Sequence, residues 1–75
     1  MKNIKFDFSR HARDRMQQKS ISKLEVKETV LNPDKWYYGE YGEINAIKDF
    51  GIKKVRIPYI SNPSEIKIIT AILEK

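Results

Sequence analysis

The chain contains no cysteine, so neither a disulfide framework nor a thiolate metal site is open to it. Its single histidine, His11, cannot build a metal cluster alone. Glycine and proline number three each, too few for a flexible linker or a low-complexity tract. No apolar run approaches the ~18–20 residues that cross a bilayer; the longest are strand-sized pieces such as Ile68-Ile69. The amino terminus, Met1-Lys2-Asn3-Ile4-Lys5, has no apolar signal region. Glycine-rich phosphate loops and nucleophile elbows are missing too. These absences predict a cytoplasmic protein with no metal, no cofactor and no membrane partner.

What is present is charge. Fifteen basic residues against ten acidic ones give 75 residues a net charge of +5, which favours a polyanionic partner. From Met1 to Ser20 there are six basic side chains (Lys2, Lys5, Arg10, Arg13, Arg15, Lys19) and two acids. From Ile52 to Ile60 there are three, Lys53, Lys54 and Arg56, and no acid. A chain of this length makes one domain, 1–75, with a single core.

Ile4, Phe6 and Phe8 alternate with Asn3, Lys5 and Asp7, the period of a half-buried strand. Ser9 then offers an N-cap oxygen for a short helix over Arg10–Lys19. Ala12 and Met16 form its apolar stripe, with His11 and Arg15 on the adjacent strip. Ser22-Lys23-Leu24-Glu25 is a capping box for a second helix, with Ile21 and Val26 placed as a hydrophobic staple. Leu24, Val26, Val30 and Leu31 are expected to face the core, and Asn32-Pro33 ends the helix.

Beyond Pro33 the period is that of strands. Trp36-Tyr37-Tyr38 is strand-prone, a turn follows over Gly39–Gly42, and Ile44–Phe50 reads as the next strand. Val55, Ile57 and Tyr59 alternate with Lys54, Arg56 and Pro58. Pro58 lacks an amide donor, which predicts an edge position or a bulge near it. Asn62-Pro63-Ser64 is a turn, and Glu65 to about Leu73 reads as one central strand, apolar on both faces. The expected architecture is α+β: two N-terminal helices on one face of a four- to five-stranded antiparallel sheet, in the order β-α-α-β-β-β-β.

The residues that suit chemistry are His11, Arg15, Lys54, Arg56 and Tyr59. Metal-free RNA cleavage needs one group to take the 2′-hydroxyl proton, another to protonate the leaving oxygen, and cations around the phosphorane. Histidine, lysine and tyrosine suit the proton transfers, and arginine suits the phosphate. Structural roles compete for the same side chains. His11 has the position of a capping or packing residue, and Arg15 that of a surface pair with Asp7 or Glu28. Lys54 and Arg56 also suit edge charges that deter aggregation. Trp36 is expected in the core, while Tyr37 and Tyr38 divide between faces or stack on bases.

Phe8-Ser9-x-His11-Ala12-x-x-Arg15-Met16, then Ile21-Ser22-x-x-Glu25-Val26 and Asn32-Pro33, resembles a family of small bacterial domains of unknown function. Those domains open with a Ser-x-His-Ala-x-x-Arg-Met helix. The strands Lys54-Val55-Arg56-Ile57-Pro58-Tyr59 and Ile66-Lys67-Ile68-Ile69-Thr70 fit the same pattern. The family looks like a branch of the RelE/ParE toxin superfamily. That resemblance implies the toxin of a type II toxin–antitoxin pair, an endoribonuclease acting on mRNA, in many relatives on the ribosome, with a cognate antitoxin as protein partner. ParE-like members poison gyrase instead, so a non-catalytic basic domain that binds gyrase, the ribosome or RNA is the alternative. His11, Arg15, Arg56 and Tyr59 are the expected catalytic group; Lys54, Lys53, Arg10 and Lys67 are expected to bind nucleic acid. Thr70 matches the final strand motif. Many RelE-type nucleases carry catalytic residues after the last strand, where this chain has Glu74 and Lys75, so helix-borne His11 is expected to do that work.

Overall fold

A computed structural model describes residues 4–74; the expectations that involve Lys2, Asn3 and Lys75 lie outside the described residues. Strand β1 (Lys5–Phe8) leads into helices α1 (Arg10–Lys19) and α2 (Lys23–Leu31). Strands β2 (Lys35–Tyr38), β3 (Ile44–Asp49), β4 (Lys54–Asn62), β5 (Glu65–Ile68) and β6 (Ile72–Glu74) follow. The sheet runs β1-β5-β4-β3-β2, with β6 also paired to β4. It is α+β as expected, but among the described residues it has six strands and is mixed, because β1 runs parallel to β5.

Both helix starts are built by side chains that the local sequence announces. Ser9 Oγ accepts from the Ala12 amide at 3.0 Å. In α2, Ser22 Oγ accepts from the Glu25 amide at 3.1 Å while the Glu25 carboxylate accepts from the Ser22 amide at 2.9 Å. The capping bond from the Ser22 amide, then the Lys53 ammonium, hold the Glu25 carboxyl below its usual range against the opposing effect of burial. Helix α1 closes on Ser20 in the left-handed region (φ 55°), whose amide bonds back to the last turn.

The helices cover one face of the sheet. Ala12, Met16, Ile21, Val26 and Val30 pack on Val55, Ile57, Ile66, Ile68 and Ala71. Burying each of the larger aliphatic side chains contributes about 1.5–3 kcal/mol. Leu24 and Leu31 depart from expectation and are exposed, at 78% and 55%. Thr29 takes the inward position, its hydroxyl donating to the Glu25 carbonyl at 2.7 Å. Trp36 also departs from expectation: it stands on the outermost strand and is 54% exposed.

The long final strand is broken in two, and Pro58 explains why. Tyr59 pairs with Ile68 and Arg56 with Ile72, so Ile57 and Pro58 face three residues, Ile69 to Ala71. That extra residue is a bulge. Pro58 sits on a central strand, not an edge; the bulge in the facing segment is what accommodates it. The Ile69 amide donates to the Pro58 carbonyl at 3.0 Å, but proline has no N–H to return the bond. The Ile69 carbonyl instead accepts from Ser9 Oγ at 3.1 Å. Thus the hydroxyl that caps α1 also fastens that helix to the bulge. Ser9→Ala, losing both bonds, should lower unfolding free energy by about 1–2 kcal/mol in urea melts, whereas Ser9→Thr should keep most of it.

A candidate anion-binding hollow between the first helix and the last strand

The fastening at Ser9 determines which strip of α1 faces the bulge. Residues four apart on a helix share a strip, and His11, Arg15 and Lys19 are spaced in that way. All three line a hollow of about 380 Å³ whose opposite wall is Thr70, Ala71, Ile72 and Leu73. One wall is therefore a row of basic side chains, the other the bulge and the start of β6. The Arg15 guanidinium donates to Gln18 Oε1 at 3.2 Å, and none of the ion pairs among the described residues involves His11, Arg15 or Lys19. Arg15 and Lys19, cations without a carboxylate partner among the described residues and gathered in one concavity, create a positive potential available to an anion.

Of the other basic residues, Lys48, Lys53 and Arg56 are engaged in ion pairs elsewhere. Lys53 donates to the Ser20 carbonyl at 2.6 Å and pairs with Glu25 at 2.9 Å, tying the α1–α2 junction to the loop before β4. Arg56 points to the sheet face that the helices leave uncovered, since its neighbours Val55 and Ile57 are in the helix-covered core. There its guanidinium donates to Glu74 at 3.2 Å and to the buried Asn45 at 2.9 Å. Lys54 stands in register between Asp49 on β3 and Glu74 on β6. Lys67 is exposed on β5 beside Asp7, and Arg10 is exposed at the start of α1.

The expected catalytic set therefore divides. His11 and Arg15 share the hollow with Thr70. Tyr59 lies in the cross-strand row Tyr38–Ile44–Tyr59; burial, with a smaller effect from Tyr38, pushes its phenol above its usual range. Arg15 pairs with neither Asp7 nor Glu28. Lys19 lines the hollow although the expected nucleic-acid-binding set named Lys53, Lys54 and Lys67 instead; the signal was its position, one further turn along the His11–Arg15 strip. Among the described residues no group of three His, Asp or Glu side chains is placed to share a metal ion.

The fold and the hollow define a small α+β domain built around a helix-borne basic strip. Its family follows from sequence comparison: residues 8–73 match the domain of unknown function DUF4258, and the chain belongs to that family. No curated protein and no solved structure matches the chain. The division of cations gives a direct expectation. Lys53→Met should cost about 1–2 kcal/mol of stability. Arg15→Ala and Lys19→Ala should leave stability within about 0.5 kcal/mol. On the expectation that this strip meets nucleic acid, each should also weaken RNA binding and reduce the salt dependence, log K against log salt, by about 1.

Proposed function

We propose that the domain binds single-stranded RNA by its phosphates in the hollow between α1 and β6, and that it cleaves the strand there without a metal. The observation that carries this reading is the strip His11, Arg15 and Lys19 lining one concavity, with no carboxylate among the described residues paired to it. Arginine and lysine supply charge for a phosphate, and imidazole nitrogen can accept a proton, as a general base must.

In the proposed reaction the 2′-hydroxyl attacks the adjacent phosphorus as His11 takes its proton. The bond from phosphorus to the 5′-oxygen breaks, and that oxygen leaves protonated by water or by the Lys19 ammonium. The products are a 2′,3′-cyclic phosphate and a free 5′-hydroxyl. Arg15 faces the charge that accumulates on the non-bridging oxygens in the transition state. Biologically, the resemblance to RelE/ParE toxins supports the role of a toxin restrained by a cognate antitoxin.

A second reading, non-catalytic binding of RNA, the ribosome or gyrase, is favoured by a different observation: Arg56 and Tyr59, which would complete a nuclease site, are placed away from the hollow. His11→Ala separates the two. If the domain is a nuclease, the variant stays folded and binds RNA while strand scission falls by about 10²–10⁴-fold, as read by gel analysis of end-labelled RNA with cyclic-phosphate detection. Unchanged scission in that variant removes His11 from the chemistry, and RNA that stays intact with the wild-type protein establishes the non-catalytic reading.

A further inference from the structure

Arg56 and the hollow lie on opposite faces of the sheet, yet one strand joins them. Strand β6 forms part of the hollow's wall through Ile72 and Leu73. It is also the shortest strand among the described residues, with three residues, where strands usually run to about 5–6. It pairs with β4 alone, over Lys54–Arg56, and the bulge at Ile69–Ala71 separates it from β5. Ser9 fastens the bulge at Ile69, but that bond stops short of β6.

Alternation along the strand assigns its side chains. Leu73 stands opposite Val55, a core residue, so it faces the helix side and lines the hollow. Glu74 faces the uncovered side with Arg56, and there the two pair at 3.2 Å. The same guanidinium donates to Asn45 Oδ1 at 2.9 Å, and Asn45 is buried. The bonds run in a row across three strands, from Asn45 on β3 to Arg56 on β4 to Glu74 on β6. Strand β3 is paired on both sides, so Asn45 is a fixed point. It holds the guanidinium, and the held guanidinium holds the carboxylate.

The side chains of Arg56 and Glu74 are 26% and 32% exposed. A fully exposed ion pair contributes next to nothing, but a charge-assisted bond from a part-buried, preordered donor contributes more. A three-residue ladder opens locally far more readily than the domain unfolds. One such bond is therefore a large part of what keeps β6 closed.

We infer that Arg56 is a positioning residue of the hollow: through Glu74 it braces β6 from the opposite face of the sheet, so that the wall facing the α1 strip stays in place. Its effect on RNA rests on the reading of the hollow as the RNA site. When β6 lifts off β4, the wall opposite His11 and Arg15 is lost, and affinity falls with the fraction of molecules left closed.

Glu74→Ala tests this, because charge and bracing predict opposite signs. Removing an acid and freeing Arg56 tightens RNA binding by electrostatics alone, whereas losing the brace weakens it. Glu40→Ala, in the β2–β3 turn, removes the same charge and leaves the brace intact. In amide hydrogen exchange without RNA, the β6 amides bonded to β4 should exchange about three- to tenfold faster in Glu74→Ala, one hydrogen bond's worth. Those of α2 and β3 should keep their wild-type rates. A short single-stranded RNA should bind Glu74→Ala at least about twofold more weakly than Glu40→Ala. Exchanging the partners, Arg56→Glu with Glu74→Arg, should restore both readouts, since the Asn45 amide nitrogen can donate to a carboxylate. Wild-type exchange of β6 in Glu74→Ala overturns the inference whether or not RNA binds. So does a wild-type chain that binds RNA while Glu74→Ala binds it as tightly as Glu40→Ala, or a folded double variant that restores neither readout. Accelerated β6 exchange in Glu74→Ala, with no RNA bound by the wild type, removes the RNA reading and leaves the brace standing.

Discussion

One hydroxyl joins the helical layer to the sheet at the point where the sheet is irregular. Ser9 Oγ accepts from the Ala12 amide and donates to the Ile69 carbonyl. That carbonyl is free because the residue across from it, Pro58, has no amide to offer it. The chain of cause therefore starts at a proline in a central strand. Its missing donor leaves an acceptor, the acceptor engages the helix cap, and the cap fixes which side of α1 overlooks the bulge. A regular ladder at this point would satisfy Ile69 within the sheet and leave Ser9 a cap alone.

Electrostatics then divides the basic residues by task. Lys48, Lys53 and Arg56 neutralise carboxylates, and Lys48 and Lys53 also close backbone carbonyls at helix ends, so they hold elements together. The α1 strip is left with its charge directed into a concavity. Total charge conceals that division, since a paired lysine and an unpaired one count equally in a sum. A polyanion senses only the unpaired set, because the field of a paired lysine is largely cancelled within a few ångströms.

Elements governed by local chemistry were legible from sequence. The capping box at Ser22, the N-cap at Ser9 and the alternation in β1 and over Lys54–Ile57 of β4 all depend on near neighbours and appear as read, whereas Pro58 is buried and breaks the alternation there. What failed to show depends on distant partners. Glu65–Leu73 reads as one strand because every residue in it suits a strand; the break comes from Pro58 on the opposing strand. Leu24 and Leu31 look like core residues by type, yet α2 lies on the sheet through Val26, Thr29 and Val30. Trp36 is outside because β2 falls at the end of the strand order, which no local pattern reports. For the site, the His11–Arg15 strip was legible from helical spacing. The withdrawal of Arg56 was not, since its partners Glu74 and Asn45 lie 18 and 11 residues away in sequence.

The central claim is that phosphate meets this protein at the α1 strip and not on the uncovered sheet face. The most direct measurement is an amide NMR titration of the labelled chain with a short single-stranded RNA at low salt. The account predicts that the largest shifts map to His11, Arg15, Lys19 and the segment Thr70–Leu73, with Lys53, Arg56 and Lys67 nearly still. Shifts centred on Lys54, Arg56 and Lys67, with the α1 strip unmoved, would contradict it.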